Sequence, residues 1–168
     1  YSLNAYDIFP SASLYKLFLM AAVMEQIEDG KLTMDNLVSA KKSELVKIFE
    51  GDDFGYMDVG DDELIELTVK EALERIGRVS DNFAAILLAE RIVWDKIQET
   101  ARENGAQSTT IGTPISTTAK DVANFLRLLY EDKVVSTTAS SQIREFLKLS
   151  QLNNRIPAKL PEGVEVVH

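Results

Sequence analysis

Apolar side chains recur three and four residues apart along most of this sequence, a period that favours helices and leaves little room for strands. From Ser13 to Asp29 the stripe is Leu14, Leu17, Phe18, Ala21, Met24 and Ile27, and Gly30 stands where a left-handed residue can end a helix. A second helix is expected after Thr68, whose spacing to Glu71 is that of a capping box, with an end near Gly77. A third begins near Asn82 and carries Phe83, Ile86, Leu87 and Ala89, and a fourth runs from about Val93 to Asn104 and stops at Gly105. Thr118 and Asp121 repeat the capping-box spacing ahead of Val122, Phe125, Leu126 and Leu129, and a last helix is expected over Ala139 to Leu149. The stretch Lys31 to Gly60 is less regular, holds Gly51, Asp52, Asp53 and Gly55, and is read as loops and short turns. Pro157, Pro161 and Gly163 break the chain before a short β-like run, Val164 to Val167. The expectation is a mainly α chain with at most one or two short strands.

Composition narrows what such a chain can do. With 168 residues, 45% of them hydrophobic, it fits one ordinary domain with a real core. A formal net charge of −9 opposes binding to nucleic acid, which requires a basic surface. The absence of cysteine excludes disulfides and thiolate chemistry within these residues. No apolar run is long enough to span a bilayer. The sequence opens on Tyr1-Ser2-Leu3-Asn4 without an initiator Met and with no signal peptide, and is read as a mature form or an excised piece.

Two short clusters can carry chemistry. Ser13 and Lys16 lie three residues apart at a helix start, so the lysine amine can reach the serine hydroxyl on one face. A serine hydroxyl becomes a good nucleophile only when a neighbouring base takes its proton, and a lysine with a depressed pKa can be that base. The helix N-terminus adds partial positive charge where negative charge would develop. Alone, the pair also fits an N-cap serine beside a surface lysine. The second cluster, Ser80-Asp81-Asn82, precedes Phe83-Ala84-Ala85 and by itself equally suits a helix cap. Both in this order, each at a helix start, form a combined signature of penicillin-recognising serine enzymes.

The resemblance then extends along the chain. Phe9-Pro10-Ser11-Ala12-Ser13-Leu14-Tyr15-Lys16-Leu17 resembles the nucleophile segment of the class A β-lactamases and their penicillin-binding relatives. Arg78-Val79-Ser80-Asp81-Asn82 with Ala84 and Ala85 resembles their second motif, and Ile115 to Val122 is similar to the segment after their active-site loop. Leu160-Pro161-Glu162-Gly163-Val164 resembles the approach to the strand of their third motif. The resemblance implies that Ser13 is the acylated nucleophile and Lys16 its proton partner. It implies that Ser80 passes a proton to the leaving nitrogen and that Asn82 holds the substrate's amide side chain. Asp81 would buttress the loop, and the Ser13 N–H would be one half of the oxyanion hole. The implied substrates are small molecules, β-lactams or D-alanyl peptides, and the implied location is periplasmic, cell-surface or secreted.

The departures from that family are as informative. The Lys-Thr-Gly motif is absent, and so are most strands of the five-stranded antiparallel sheet of the family's α+β fold. Residues 1–150 are therefore read as the helical lobe and 151–168 as the connection toward the strand of the third motif. The second wall of the cleft would come from a sheet segment of the same protein or from a swapped partner chain, and apolar surface should be exposed where it docks. Losing one oxyanion donor costs on the order of 3–4 kcal/mol of transition-state stabilisation. The Glu-x-x-Leu-Asn segment that activates the deacylating water is missing too. Its look-alike Gln151-Leu152-Asn153 has Leu149 in the glutamate position, and Glu103 sits at a helix end without matching context. Deacylation is expected to be slow, as in a D-alanyl peptidase or esterase-like penicillin-binding enzyme. The implied function is a β-lactamase-like serine hydrolase that opens β-lactam rings through a Ser13 acyl-enzyme; the alternatives are a D-alanyl peptidase or esterase-like penicillin-binding enzyme and a non-catalytic helical binding module derived from the same fold.

Other residues take simpler readings. His168, the sole histidine, is read as a strand residue, which disfavours a Ser-His-Asp triad. Asp52, Asp53, Asp58, Asp61, Asp62 and Glu63 lack calcium-loop spacing and are read as a solvated acidic loop. Trp94 and the Met residues suit the core. Neither a metal nor a cofactor is expected, because no ligand cluster or phosphate-binding glycine loop is present.

Overall fold

A computed structural model describes residues 2–48, 60, 62–152, 154, 157–161, 163–164 and 166–167. In chain order its elements are β1 (Ile8–Pro10), α1 (Tyr15–Glu28), β2 (Leu37–Lys41), α2 (Lys42–Ile48), β3 (Leu64–Thr68), α3 (Val69–Val79), α4 (Asn82–Ile92), α5 (Trp94–Glu103), β4 (Ser116–Thr118), α6 (Ala119–Tyr130) and α7 (Thr137–Lys148). Short 3-10 turns cover Ala12–Leu14 and Pro157–Lys159. The chain forms two compact units, Tyr1–Thr33 with Leu88–Ile143 and Met34–Leu87 with Arg144–His168.

The first unit is built on α1. Its buried residues include Phe18, Leu19, Met20, Ala21, Ala22, Val23 and Met24, so the helix is apolar nearly all round and not along one stripe. Leu14, which the periodicity puts on the buried face, is exposed. Phe18 meets Phe125 of α6 edge to face at 5.1 Å. Glu25 of α1 and Lys96 of α5 pair at 2.7 Å, and Thr100 donates to the same carboxylate at 2.7 Å. These contacts tie α1 to α5 at its C-terminal end. Gly30, with φ +71°, closes α1 as the sequence predicts.

The second unit corrects several expectations. Part of the stretch read as loops is β2 and α2, while residues 49–59 and 61 lie outside the described residues. Strand β2 pairs antiparallel with β3, placing Val38 opposite Leu67 and Ala40 opposite Ile65 on the inner side. The period of two is there, but in β2 Val38 is the one β-branched residue, beside Ser39, Ala40 and Lys41, so the strand signal is weak. With β1 and β4, the described residues contain four short strands in two two-stranded sheets, where one or two strands were expected. Val164, Val166 and Val167 form no strand.

The Thr68 capping box forms in full, with Glu71 N–H donating to Thr68 Oγ1 at 3.1 Å and Thr68 N–H donating to Glu71 Oε2 at 2.8 Å. Those bonds hold the Glu71 carboxyl below its ordinary pKa. Gly77 does not end α3, which continues to Val79. It is a packing glycine, since a Cβ there would lie 2.1 Å from the Phe146 carbonyl oxygen. At Thr118 only half of the expected box exists. Asp121 N–H donates to Thr118 Oγ1 at 3.1 Å, but the Asp121 carboxylate turns away to other partners.

Candidate functional site

The Ser13–Lys16 pair is assembled within the first unit. Strand β1 pairs with β4 in the register Ile8 to Thr118, Phe9 to Thr117 and Pro10 to Ser116. Ser11 N–H then donates to Ile115 O at 3.2 Å, extending the contact to the threshold of the nucleophile turn. Ala12 adopts φ +46°, a left-handed conformation that costs a non-glycine residue about 1–2 kcal/mol. That kink opens the 3-10 turn that leads from the end of β1 at Pro10 to the start of α1 at Tyr15. Ser13 is exposed, whereas Lys16, one helical turn on, is 3% exposed. Lys16 Nζ donates to Ser13 Oγ at 3.4 Å. The same two atoms exchange donor and acceptor roles when the amine is neutral, which is the arrangement a proton transfer from serine to lysine needs.

Tyr15 lies under this pair and had no functional reading from the sequence. It is 1% exposed, its ring is 6.2 Å from that of Trp94, and Lys16 Nζ lies 5.9 Å from its ring centre. Trp94 is in turn anchored by its indole N–H, which donates to Glu90 Oε1 at 2.9 Å. The Tyr15 hydroxyl finds no hydrogen-bond partner among the described residues, and burial raises its pKa far above the ordinary tyrosine range. A buried, unpartnered hydroxyl costs about 1–3 kcal/mol. Tyr15→Phe is therefore expected to raise the thermal midpoint while keeping the ring contacts. A lower midpoint in calorimetry would mean that the hydroxyl has a stabilising partner.

Ser80, Asp81 and Asn82 fall in the second unit. Ser80 takes the left-handed conformation, φ +57° and ψ 42°, that ends α3, and its N–H donates to Ile76 O at 2.9 Å. Asp81 is fully buried and caps α4 by accepting the Ala84 N–H at 3.1 Å. Arg75 Nη1 approaches its other oxygen at 3.7 Å. Asp81 thus holds the start of α4 and the end of α3 together. Ser80 and Asn82 flank it half-buried.

The residues from Ala106 to Thr118 contain no carboxylate. Glu103, the one acidic candidate nearby, is an exposed residue in the last turn of α5. The following loop is gripped instead by Gln98, whose amide donates to Thr109 O at 3.0 Å and accepts from Ile111 N–H at 2.8 Å. No local pattern singles out Gln98, because its partners are 11 and 13 residues away. His168 and Asn153 lie outside the described residues, as do Asp52, Asp53, Asp58 and Asp61 of the acidic cluster. Among the described residues no group of three His, Cys, Asp or Glu side chains is arranged to hold a metal ion. No helix among them is long and apolar enough to cross a membrane.

A family model described as the β-lactamase enzyme family matches residues 1–168. D-alanyl-D-alanine carboxypeptidase DacF of Bacillus subtilis (strain 168) is 29% identical over 124 residues, which are 70% of this chain and 30% of that protein. Among solved structures, a penicillin-G acyl-enzyme complex of a PBP-A variant superposes with a TM-score of 0.83 at 18% identity, over 99% of this chain and 64% of that one. A variant of the class A β-lactamase of the last common ancestor of Gram-negative bacteria superposes with a TM-score of 0.76 at 26% identity, over 95% of this chain and 63% of that one. The chain thus spans less than two thirds of the length of these relatives.

Proposed function

Because the chain belongs to the β-lactamase enzyme family, we propose that it is the nucleophile-bearing part of a serine acyl-enzyme that opens β-lactams or cleaves D-alanyl peptides. Its mainly α architecture is the helical part of that family's α+β fold, with most of the sheet lacking. The observation that carries the reading is the exposed Ser13 hydroxyl held 3.4 Å from the amine of a buried lysine at a helix start.

In the proposed reaction Ser13 Oγ attacks the substrate carbonyl carbon and its proton passes to Lys16 Nζ. The tetrahedral intermediate collapses as the carbonyl carbon–nitrogen bond breaks, Ser80 relays a proton to the leaving nitrogen, and an ester remains on Ser13. The Ser13 N–H, at the N-terminal end of α1, contributes one oxyanion donor. Asn82 holds the substrate's amide side chain. A sheet segment of the same protein, or a partner chain, supplies the second donor and the other wall of the cleft, with residues 151–168 leading toward it. Large apolar side chains support an undocked face in each unit: Tyr6 and Ile8 in the first, Leu37 and Leu64 in the second, each more than half exposed. Water then releases the acyl group slowly, because no carboxylate stands between Ala106 and Thr118 to activate it. Slow release, with the likeness to a D-alanyl-D-alanine carboxypeptidase, favours peptidase-like over efficient β-lactamase behaviour. Such substrates place the enzyme outside the cytoplasmic membrane, in the periplasm, at the cell surface or secreted.

The test is intact-protein mass before and after incubation with penicillin G, with peptide mapping and Ser13→Ala as control. A long-lived adduct on the Ser13 peptide, absent from the alanine variant, is expected. An adduct elsewhere, or none, would remove the nucleophile assignment for this chain and leave the non-catalytic binding module as its function.

A further inference from the structure

We propose that Asp121 is a positioning residue for the nucleophile turn, acting through the loop and strand that brace it; the inference rests on reading Ser13 as the nucleophile. The Asp121 side chain is 3% exposed, and one of its oxygens accepts two hydrogen bonds, from Ser108 N–H at 2.7 Å and from Thr109 Oγ1 at 2.9 Å. Thr109 Oγ1 also lies 2.8 Å from Thr117 Oγ1. A carboxylate offers no proton, so the Thr109 hydroxyl spends its own on Asp121 and must receive one from Thr117. The bonds therefore run in one direction, from Thr117 to Thr109 to Asp121. Both threonines are as buried as the carboxylate, at 0% and 2% exposure. Water has little access with which to replace any of these bonds.

Thr117 is the middle residue of β4 and stands opposite Phe9 of β1. The next rung, Ser11 N–H to Ile115 O at 3.2 Å, sits two residues before Ser13. A second tie, Thr110 and Ser116 exchanging backbone hydrogen bonds at 2.9 and 3.0 Å, fastens the same loop to the same strand. At its other end the path is anchored in the first turn of α6, where Thr118 Oγ1 accepts the Asp121 N–H. All of these residues belong to one compact unit. Loss of the carboxylate releases the loop from the helix, and β4 is then free to shift against β1. The left-handed Ala12 is the hinge that would transmit such a shift to Ser13.

The test combines Asp121→Ala, Asp121→Asn, which keeps an accepting oxygen, and Thr117→Val, which removes only the hydroxyl link. Amide hydrogen exchange is read at Ser11 and at Val23 in the middle of α1. Acylation by penicillin G is read as the rate at saturation against the concentration giving half that rate. The alanine and valine variants are expected to lower protection of Ser11 by about tenfold or more, leave Val23 protected, and slow acylation at saturation; asparagine should restore much of both. Should Asp121→Ala fail to fold, Thr117→Val carries the comparison alone. Unchanged Ser11 exchange, or protection falling equally at Ser11 and Val23, overturns the proposal. If the unaltered chain takes no penicillin, the nucleophile reading fails, while the exchange comparison still decides whether Asp121 fixes the turn.

Discussion

Gly77→Ala is expected to be among the most damaging single-methyl additions in this protein, costing about 3 kcal/mol or more and lowering the urea midpoint accordingly. The added Cβ would sit 2.1 Å from the Phe146 carbonyl oxygen and 2.7 Å from its carbonyl carbon. Backbone atoms cannot rotate aside as a side-chain tip can. That carbonyl is also committed, since it accepts the Leu149 N–H at 3.1 Å as α7 ends. Nearby, Gln151 N–H donates to Arg78 O at 2.8 Å, so the chain just beyond α7 is fastened to the end of α3. Relief would require α3 to move off the last turns of α7 and break such bonds. Opposing this is the helical preference for alanine, about 1 kcal/mol, which is too small to compensate. Gly30→Ala is the internal control. Its φ of +71° makes alanine strained, but a Cβ there meets nothing within 4 Å, so a loss of about 1 kcal/mol is expected. Equal midpoints for the two variants in urea denaturation would refute the close approach at Gly77.

Lys16→Met should separate chemistry from stability. If Lys16 takes the Ser13 proton, its loss slows acylation by penicillin G about a hundredfold to ten-thousandfold, the range for removing a positioned base. The fold should not suffer in parallel. Lys16 is 3% exposed, and methionine fills a similar volume in its place. The midpoint of Lys16→Met is therefore expected to stay close to that of the unaltered protein. A variant that acylates at the original rate would rule out the proton-transfer role. One that unfolds much more readily would instead make Lys16 a structural residue.

Local physics explains where reading from sequence succeeded. The helix over α3 was legible because Thr68 and Glu71 are near neighbours that satisfy each other's backbone groups, and the end of α1 because Gly30 adopts the left-handed turn. The Ser13–Lys16 contact was legible for the same reason, since one helical turn fixes the distance between them. Strands β2 and β3 were not, because their alternation is short and each needs the other to bury Val38, Ile65 and Leu67. Gly77 looked like a helix end because nothing nearby reveals that Phe146 will press against it.

The sequence by itself determined the helical period, the helix caps, and the pairing of a serine with a lysine at one helix start, because all of these depend on residues within a turn of each other. Only the tertiary structure decided that α1 is buried nearly all round, that the Tyr15 hydroxyl is buried with no partner among the described residues, and that Asp121 reaches back to Ser108 and Thr109. Those outcomes depend on which distant segments arrive alongside, and a carboxylate offered equally to a helix cap and to a buried hydroxyl goes where the folded chain leaves a donor that water cannot reach.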